Sequence, residues 1–272
     1  MTAVRSSCDE RSKTWLTPWA CRVSRCTTTS TRSIAESTMK PVDVVAFDAD
    51  DTLWHSEDGF HAAEARFVEL LTPYASPGVD VMAGLTAMER SNLPVYGYGV
   101  KAFGLSMVEA AVTIGQDRVP TKVFAQIIDV ARDLLLAPVR LLPHVSEVLA
   151  TVSEHYRVIL VTKGDLIHQS RKVGTSGLDH HFDHVEIVLE KDVDTYARII
   201  AEQGVEAQRF CMIGNSVRSD VLPVLDLGGY AVHVPYPFLW ELERVETLPS
   251  GPRFAELESI THVPGWLGIR AD

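Results

Sequence analysis

Three carboxylates, Asp48, Asp50 and Asp51, follow directly on the short apolar run Val42–Phe47. Other polar residues close other apolar runs: Thr162 and Lys163 after Tyr156–Val161, Lys191 just beyond Val185–Leu189, and Asn215 with Asp220 beyond Phe210–Ile213. The first run supplies acids, the second a hydroxyl, the third a cation and the fourth oxygen donors. That set suits a hard cation together with a phosphate. Magnesium prefers carboxylate and carbonyl oxygens and commonly keeps waters and a substrate phosphate as its other ligands. A threonine hydroxyl at position 162 can donate to a phosphoryl oxygen, and Lys191 can neutralise its charge.

Residues so far apart in sequence act together only if the chain folds them to one edge. The four runs, with a fifth at Tyr230–Val234, are brief, rich in β-branched residues and apolar on both alternating sets. Strands of a parallel sheet covered on two faces read this way. Helical stretches over about 166–176, 194–203 and 218–227 alternate with the later runs, as in an α/β sheet. In such a sheet ligands gather at the carboxyl ends of the strands, which is where the polar residues stand. The interval from about 55 to 154 is too long for one crossover and reads as helices over 59–72, 79–91, 104–115 and 120–136, with 144–154 returning to the core. Pro73, Pro77–Gly78, Pro94, Gly97, Gly99, Pro120, Pro138 and Pro143 separate them. A helical insert at this place suggests a lid. Within it, Leu93–Lys101 carries Tyr96, Tyr98 and Lys101 between glycines, and reads equally as a substrate-facing loop or as a packed connection.

Val45-Ala-Phe-Asp-Ala-Asp-Asp-Thr-Leu53 resembles the first motif of the haloacid dehalogenase-like hydrolases, Asp-x-Asp-x-Thr after an apolar strand. Val158–Thr162 is similar to the second motif, Lys191 to the third, and Gly214-Asn-Ser-Val-Arg-Ser-Asp220 to the fourth. The ordered set at strand ends is far more specific than any one motif. The resemblance covers about residues 42–235. It implies that Asp48 is the nucleophile, forming an aspartyl-phosphate, and that Asp50 protonates the leaving oxygen and then deprotonates water. It further implies that magnesium is held by the side chains of Asp48 and Asp220 and the carbonyl of Asp50, and that Thr162 and Lys191 are the substrate-binding pair for the phosphoryl group. Two positions depart from the usual pattern. Asp51 stands where many members have Gly, and Asn215, a further metal ligand, stands where many have Asp. Residues two apart in an extended chain face opposite ways. The chain must therefore curl just after Asp48, with Asp51 and Thr52 in the curl; Asp tolerates unusual backbone angles better than most residues.

Composition sets the surroundings. The net charge of -11 argues against nucleic acid or an anionic membrane as the main partner. No stretch approaches the ~18 apolar residues of a membrane span. Cys8, Cys21, Cys26 and Cys211 match neither a zinc pattern nor a disulfide framework, which points to a reducing, cytoplasmic setting. Residues 1–38 hold 15 Ser or Thr and carry a charge of +3. They read as a disordered N-terminal extension ahead of a protein that begins at Met39. The expectation is an α/β, Rossmann-like parallel sheet core of about five strands, formed by 39–55 and 141–272, with a helical cap over 56–140 inserted after the first strand. The expected function is a magnesium-dependent (Mg2+) phosphatase of small phosphorylated metabolites. A phosphomutase, a dehalogenase (which needs neither the metal nor a second Asp) and a degenerate phosphate- or protein-binding member are the alternatives, and a homodimer is left open.

Overall fold

The computed structural model describes residues 41–270, so the expectation for 1–38 lies outside the described residues. The chain runs β1 (Val44–Phe47), α1 (Glu57–Leu71), α2 (Val81–Tyr96), α3 (Val100–Gly115), α4 (Thr121–Leu136), α5 (Val145–Ser153), β2 (Arg157–Lys163), α6 (Leu166–Ser176), β3 (His184–Val188), α7 (Val193–Glu202) and β4 (Phe210–Gly214). A π-helical turn over Val217–Val221 leads into α8 (Leu222–Asp226), then β5 (Tyr230–His233), β6 (Phe254–Glu256) and α9 (Val263–Leu267). The strands form one sheet in the order β3-β2-β1-β4-β5-β6, and every pair is parallel.

The sheet is buried on two sides, and alternate side chains show it. Val45, Phe47, Val158, Leu160, Cys211 and Ile213 pack with α5 and α9 in one apolar cluster. Val44, Ala46, Ile159, Val161, Phe210 and Met212 join Tyr196, Ile199 and Ile200 of α7 in another. Removing apolar surface from water on both faces is the main stabilising term for such a layer. Helices α1–α4 close a separate core of their own around Phe67, Leu71, Leu85, Phe103, Met107 and Ile127. No described helix is long and apolar enough to cross a membrane.

The sixth strand was not among the five apolar runs. It has three residues, each at least partly exposed, and it pairs only at the sheet edge, so neither length nor hydrophobicity marks it. The insert also differs in detail. Pro94 does not end its helix: α2 runs on to Tyr96 and stops at Gly97, whose φ of 70° ends the helical run. A proline forgoes one main-chain donor, and near a helix end that loss is small. Helix α3 starts at Val100, directly after Gly99 at φ 103°, rather than at 104.

Candidate active site

The β1 register fixes the first acid. Phe47 pairs with Leu160 on one side and Ile213 on the other, and the Asp48 amide donates to the Ile213 carbonyl at 2.8 Å. Asp48 therefore emerges at the carboxyl edge between β2 and β4. The chain then curls. The amides of Thr52, Leu53 and Trp54 all turn back to the Ala49 carbonyl, the Asp51 amide donates to the Trp54 carbonyl, and Asp51 takes a left-handed φ of 61°. That conformation costs most L-residues energy, Asp less. The Asp51 side chain offsets it by accepting from the amides of Ser56, at 2.8 Å, and Glu57, at 3.1 Å, at the start of α1. The expected curl is thus present, with Asp51 and Thr52 in it.

Asp48 is buried, one oxygen on the Lys191 ammonium and the other accepting from the Thr52 hydroxyl at 3.1 Å. Lys191 comes from the β3–α7 loop, which Asp192 closes by capping α7 through the Thr195 amide. Its ammonium also lies 2.6 Å from Asp220 Oδ1. The other Asp220 oxygen accepts from the Ser216 amide at 3.0 Å. Gly214 makes room for this carboxylate, since any Cβ there would collide with it. Burial pushes Asp48 up to about 7, with Lys191 opposing and the Asp220 charge assisting. Burial likewise opposes the Lys191 charge, but Asp220 and Asp48 outweigh it and hold the ammonium well above its ordinary range. Asn215 lies at the same edge, its Oδ1 3.4 Å from the Thr52 hydroxyl, and its carbonyl lies 3.1 Å from His233 Nε2.

Asp50 faces a different set of donors. Its oxygens accept from Trp54 Nε1 at 2.6 Å, from Gln169 Nε2 at 2.9 Å and from the Lys172 ammonium. Partial burial works against its charge, yet Lys172, Gln169 and Trp54 together hold the carboxyl below its usual range. Thr162, buried at the end of β2, accepts from the same Gln169 amide at 2.8 Å. Asp48, Asp50, Thr162, Lys191, Asn215 and Asp220 all line one cavity of about 200 Å³.

The cavity extends under the α1–α4 insert, which contributes Phe60, Phe103, Glu57, Glu64 and Glu89. Of the Leu93–Lys101 stretch, Tyr98 lines the cavity and donates to Glu190 Oε2 at 2.5 Å. Lys101 instead pairs with Asp165 at 2.9 Å, and Tyr96 bonds Glu109. Lys163, which follows Thr162 at the end of β2, makes no hydrogen bond to Asp48 or Asp50. Its ammonium is held by Glu243 at 2.7 Å and Ser219 at 3.1 Å and lies 3.9 Å from the centre of the Tyr98 ring. Glu243, Trp240, Gln169 and Lys172 were missed altogether. Gln169 and Lys172, three apart on α6, share a face, but nothing in their spacing says that this face meets Asp50. Glu243 lies beyond β5, in a stretch with no periodic pattern. His180 and His181 stack on each other near the start of β3 and take no part.

The donor chemistry of this edge fits a hard cation. It offers two buried carboxylates, Asp48 and Asp220, an amide oxygen on Asn215, and the Asp50 carbonyl, which the loop's own hydrogen bonds bypass. No group of three or more His, Cys, Asp or Glu side chains gathers as a ligand set among the described residues.

Residues 42–227 match the family of haloacid dehalogenase-like hydrolases. A search of curated proteins gives no match. Among solved structures, a haloacid dehalogenase-like family hydrolase from Xanthomonas campestris is 40% identical, with a TM-score of 0.74 over 84% of this chain and 89% of that one. The 2-haloacid dehalogenase of Pseudomonas syringae is 20% identical, with a TM-score of 0.56 over 83% and 98% of the two chains. The HAD-hydrolase YfnB of Bacillus subtilis, bound to magnesium, is 15% identical, with a TM-score of 0.55 over 83% and 98%. The last two likenesses speak to fold alone. The ordered motifs, the parallel sheet and the family match over most of the described chain agree: this protein belongs to the haloacid dehalogenase-like hydrolases.

Proposed function

We propose that the protein is a magnesium-dependent phosphatase of small phosphorylated metabolites that works through a phosphorylated Asp48, in a reducing cytoplasmic setting. The observation that carries this reading is a pair of carboxylates on one loop in different surroundings. Asp48 is paired with Lys191 at the buried edge, and Asp50 is held beside Thr162. Two acids in distinct environments can take distinct roles.

In the first step an Asp48 oxygen attacks phosphorus and the bond to the leaving oxygen breaks, while Asp50 gives that oxygen a proton; Lys172, Gln169 and Trp54 favour the ionised Asp50 in the free site, and the negative charge of a bound phosphate beside it works the other way and favours the protonated form. In the second, Asp50 takes a proton from water as the water oxygen attacks phosphorus, and the Asp48–phosphorus bond breaks to release phosphate. Thr162 donates to a phosphoryl oxygen and Lys191 offsets its charge. The side chains of Asp48, Asp220 and Asn215 and the Asp50 carbonyl would hold magnesium, which when bound would supply the further positive charge that lets a carboxylate approach a phosphate dianion. The elevated Asp48, with only one ammonium shared between two buried carboxylates, supports the need for a second cation. A cavity of about 200 Å³ suits a small substrate, and the net charge of -11 disfavours a polyanion.

Dehalogenation is the competing reading, because haloacid dehalogenases are among the structural neighbours. It leaves Asp50, with three side-chain donors arranged around it, without a task. The test is phosphate release from p-nitrophenyl phosphate and a panel of phosphorylated metabolites, with magnesium or with chelator, run beside halide release from 2-chloropropionate. Magnesium-dependent phosphate release is expected. Halide release in chelator, with no phosphate from any ester, would replace this reading with the other.

A further inference from the structure

The α6 helix does more than cover the sheet. Asp165 caps its start through the His168 amide, and this sets the rotation that brings Gln169 and Lys172, three residues apart, to the same side. Both point at Asp50. Gln169 is 3% exposed, and its amide nitrogen lies 2.9 Å from Asp50 Oδ2, 2.8 Å from Thr162 Oγ1 and 3.1 Å from the Lys163 carbonyl. Its own Oε1 is buried and has no hydrogen-bond partner. The amide is thus turned wholly to serve acceptors, at the expense of its carbonyl. Lys172 bonds the other oxygen, Asp50 Oδ1, which also accepts from Trp54 Nε1 at 2.6 Å.

We propose that Gln169 and Lys172 are positioning residues of Asp50, fixing its carboxylate next to the phosphoryl-binding hydroxyl of Thr162. The inference rests on the phosphatase reading above. Free rotation about the Asp50 side chain would otherwise carry the carboxylate out of line with the leaving oxygen. One amide nitrogen that touches both Asp50 and Thr162 locks the acid/base group to the place where a phosphoryl oxygen binds. The Lys172 ammonium holds the second oxygen, so the carboxylate plane is fixed as well as its position. Neither side chain lines the main cavity, so both act through Asp50 and Thr162 rather than on substrate.

The test compares leaving groups. A 2,4-dinitrophenolate departs without a proton, whereas phenolate and alkoxides need one, so only the poorer leaving groups depend on a well-placed acid. Steady-state rates of the full chain with magnesium are measured on 2,4-dinitrophenyl phosphate and on phenyl phosphate, for the unaltered protein, Gln169→Leu, Lys172→Met and Lys172→Arg. General acid catalysis contributes about 10²–10⁴-fold. In Gln169→Leu and Lys172→Met, kcat/KM on phenyl phosphate, which reports the leaving-group step and not the later attack of water common to both esters, is expected to fall at least about tenfold more than kcat/KM on 2,4-dinitrophenyl phosphate. Lys172→Arg keeps the charge and should restore most of the difference. Equal losses on both esters, or no loss, would overturn the positioning role. If Gln169→Leu does not fold, as circular dichroism would show, the two Lys172 variants decide the question on their own. An unaltered protein that cleaves neither ester would instead sink the phosphatase reading, a result distinct from an active protein whose leaving-group ratio does not change.

Discussion

The Lys191 ammonium stands 2.6 Å from Asp220 Oδ1 while also bonding Asp48, although the three residues leave three different strands. One cation thus holds together two carboxylates that burial alone would drive apart. Removing it leaves both charges uncompensated in a site almost closed to water. Lys191→Met is expected to cost about 3–5 kcal/mol of stability, the usual penalty for breaking a buried ion pair. Urea unfolding measures this. Added magnesium should recover part of the loss, because a second cation can stand between the same oxygens. Stability unchanged by the substitution would mean that the pair is not buried as described.

Asp48→Asn separates the proposed nucleophile from the fold. The amide keeps the shape and can still accept from Thr52, but it cannot form an acyl phosphate. Phosphate release is expected to fall by a factor of about 10³ or more. The melting temperature should hold or rise, because one of two like charges facing Lys191 is gone. Incubation of the unaltered protein with substrate, followed by acid quench and mass spectrometry, should show one added phosphoryl group, absent in Asp48→Asn. A variant that keeps most of its turnover would remove Asp48 from the chemistry.

In the proposed site the main chain of Asp50 binds metal and its side chain does not, and this is testable by calorimetric titration with magnesium. Asp50→Asn keeps the carbonyl, so magnesium affinity should change little while turnover slows by about 10² or more. Asp220→Asn removes a buried carboxylate ligand, so affinity should drop by about tenfold or more, on the scale of one charged oxygen in a mixed donor set. Loss of binding in the first variant, or none in the second, would redraw the ligand set.

Much of this site was legible beforehand because parallel sheets make it so. When strands are buried on both faces, each apolar run ends where solvent begins, and the polar residue after it marks the carboxyl edge. Asp48, Thr162 and Asn215 followed from that rule directly. Lys191 and Asp220 stand further from their strands, and the motif order added to what their position gave. The Asp50 surroundings were not legible. Gln169 and Lys172 lie in the middle of α6, where a polar residue ordinarily signals a solvated face, and only the packing of α6 against the curl at Asp50 turns them inward. The loop carrying Trp240 and Glu243 escaped for the opposite reason. It has no period, and its regular structure is a single 3-10 turn over Glu241–Glu243, so its place over Lys163 is decided by tertiary contacts. Pro94 shows the limit of breaker rules: a proline near a helix end removes one hydrogen bond and leaves the helix standing.

The insert places excess acid beside the site, and this should make stability fall as pH rises. Burial pushes Glu57 up to about 8, with help from Asp51 and Glu64, and pushes Glu89 up to about 7, with help from Glu64. Unfolded, both give up their protons at the ordinary glutamate value of 4.5; folded, they keep them until these higher values. Between those limits the folded state binds more protons than the unfolded one, so each step up in pH favours unfolding. The stabilisation is complete below the unfolded value and is lost as pH passes through about 8. Glu57→Gln and Glu89→Gln cannot ionise and so escape the loss. At a pH of about 5 their melting temperatures should match the unaltered protein, and at about 8.5 they should exceed it by a few degrees, given roughly 2–4 °C per kcal/mol for a domain of this size. Thermal scans at the two pH values, without added metal, read the difference directly. A melting temperature of the unaltered protein that climbs with pH over this range, or amide variants that gain nothing at the higher pH, would show that these glutamates ionise freely and that the insert carries no buried acid.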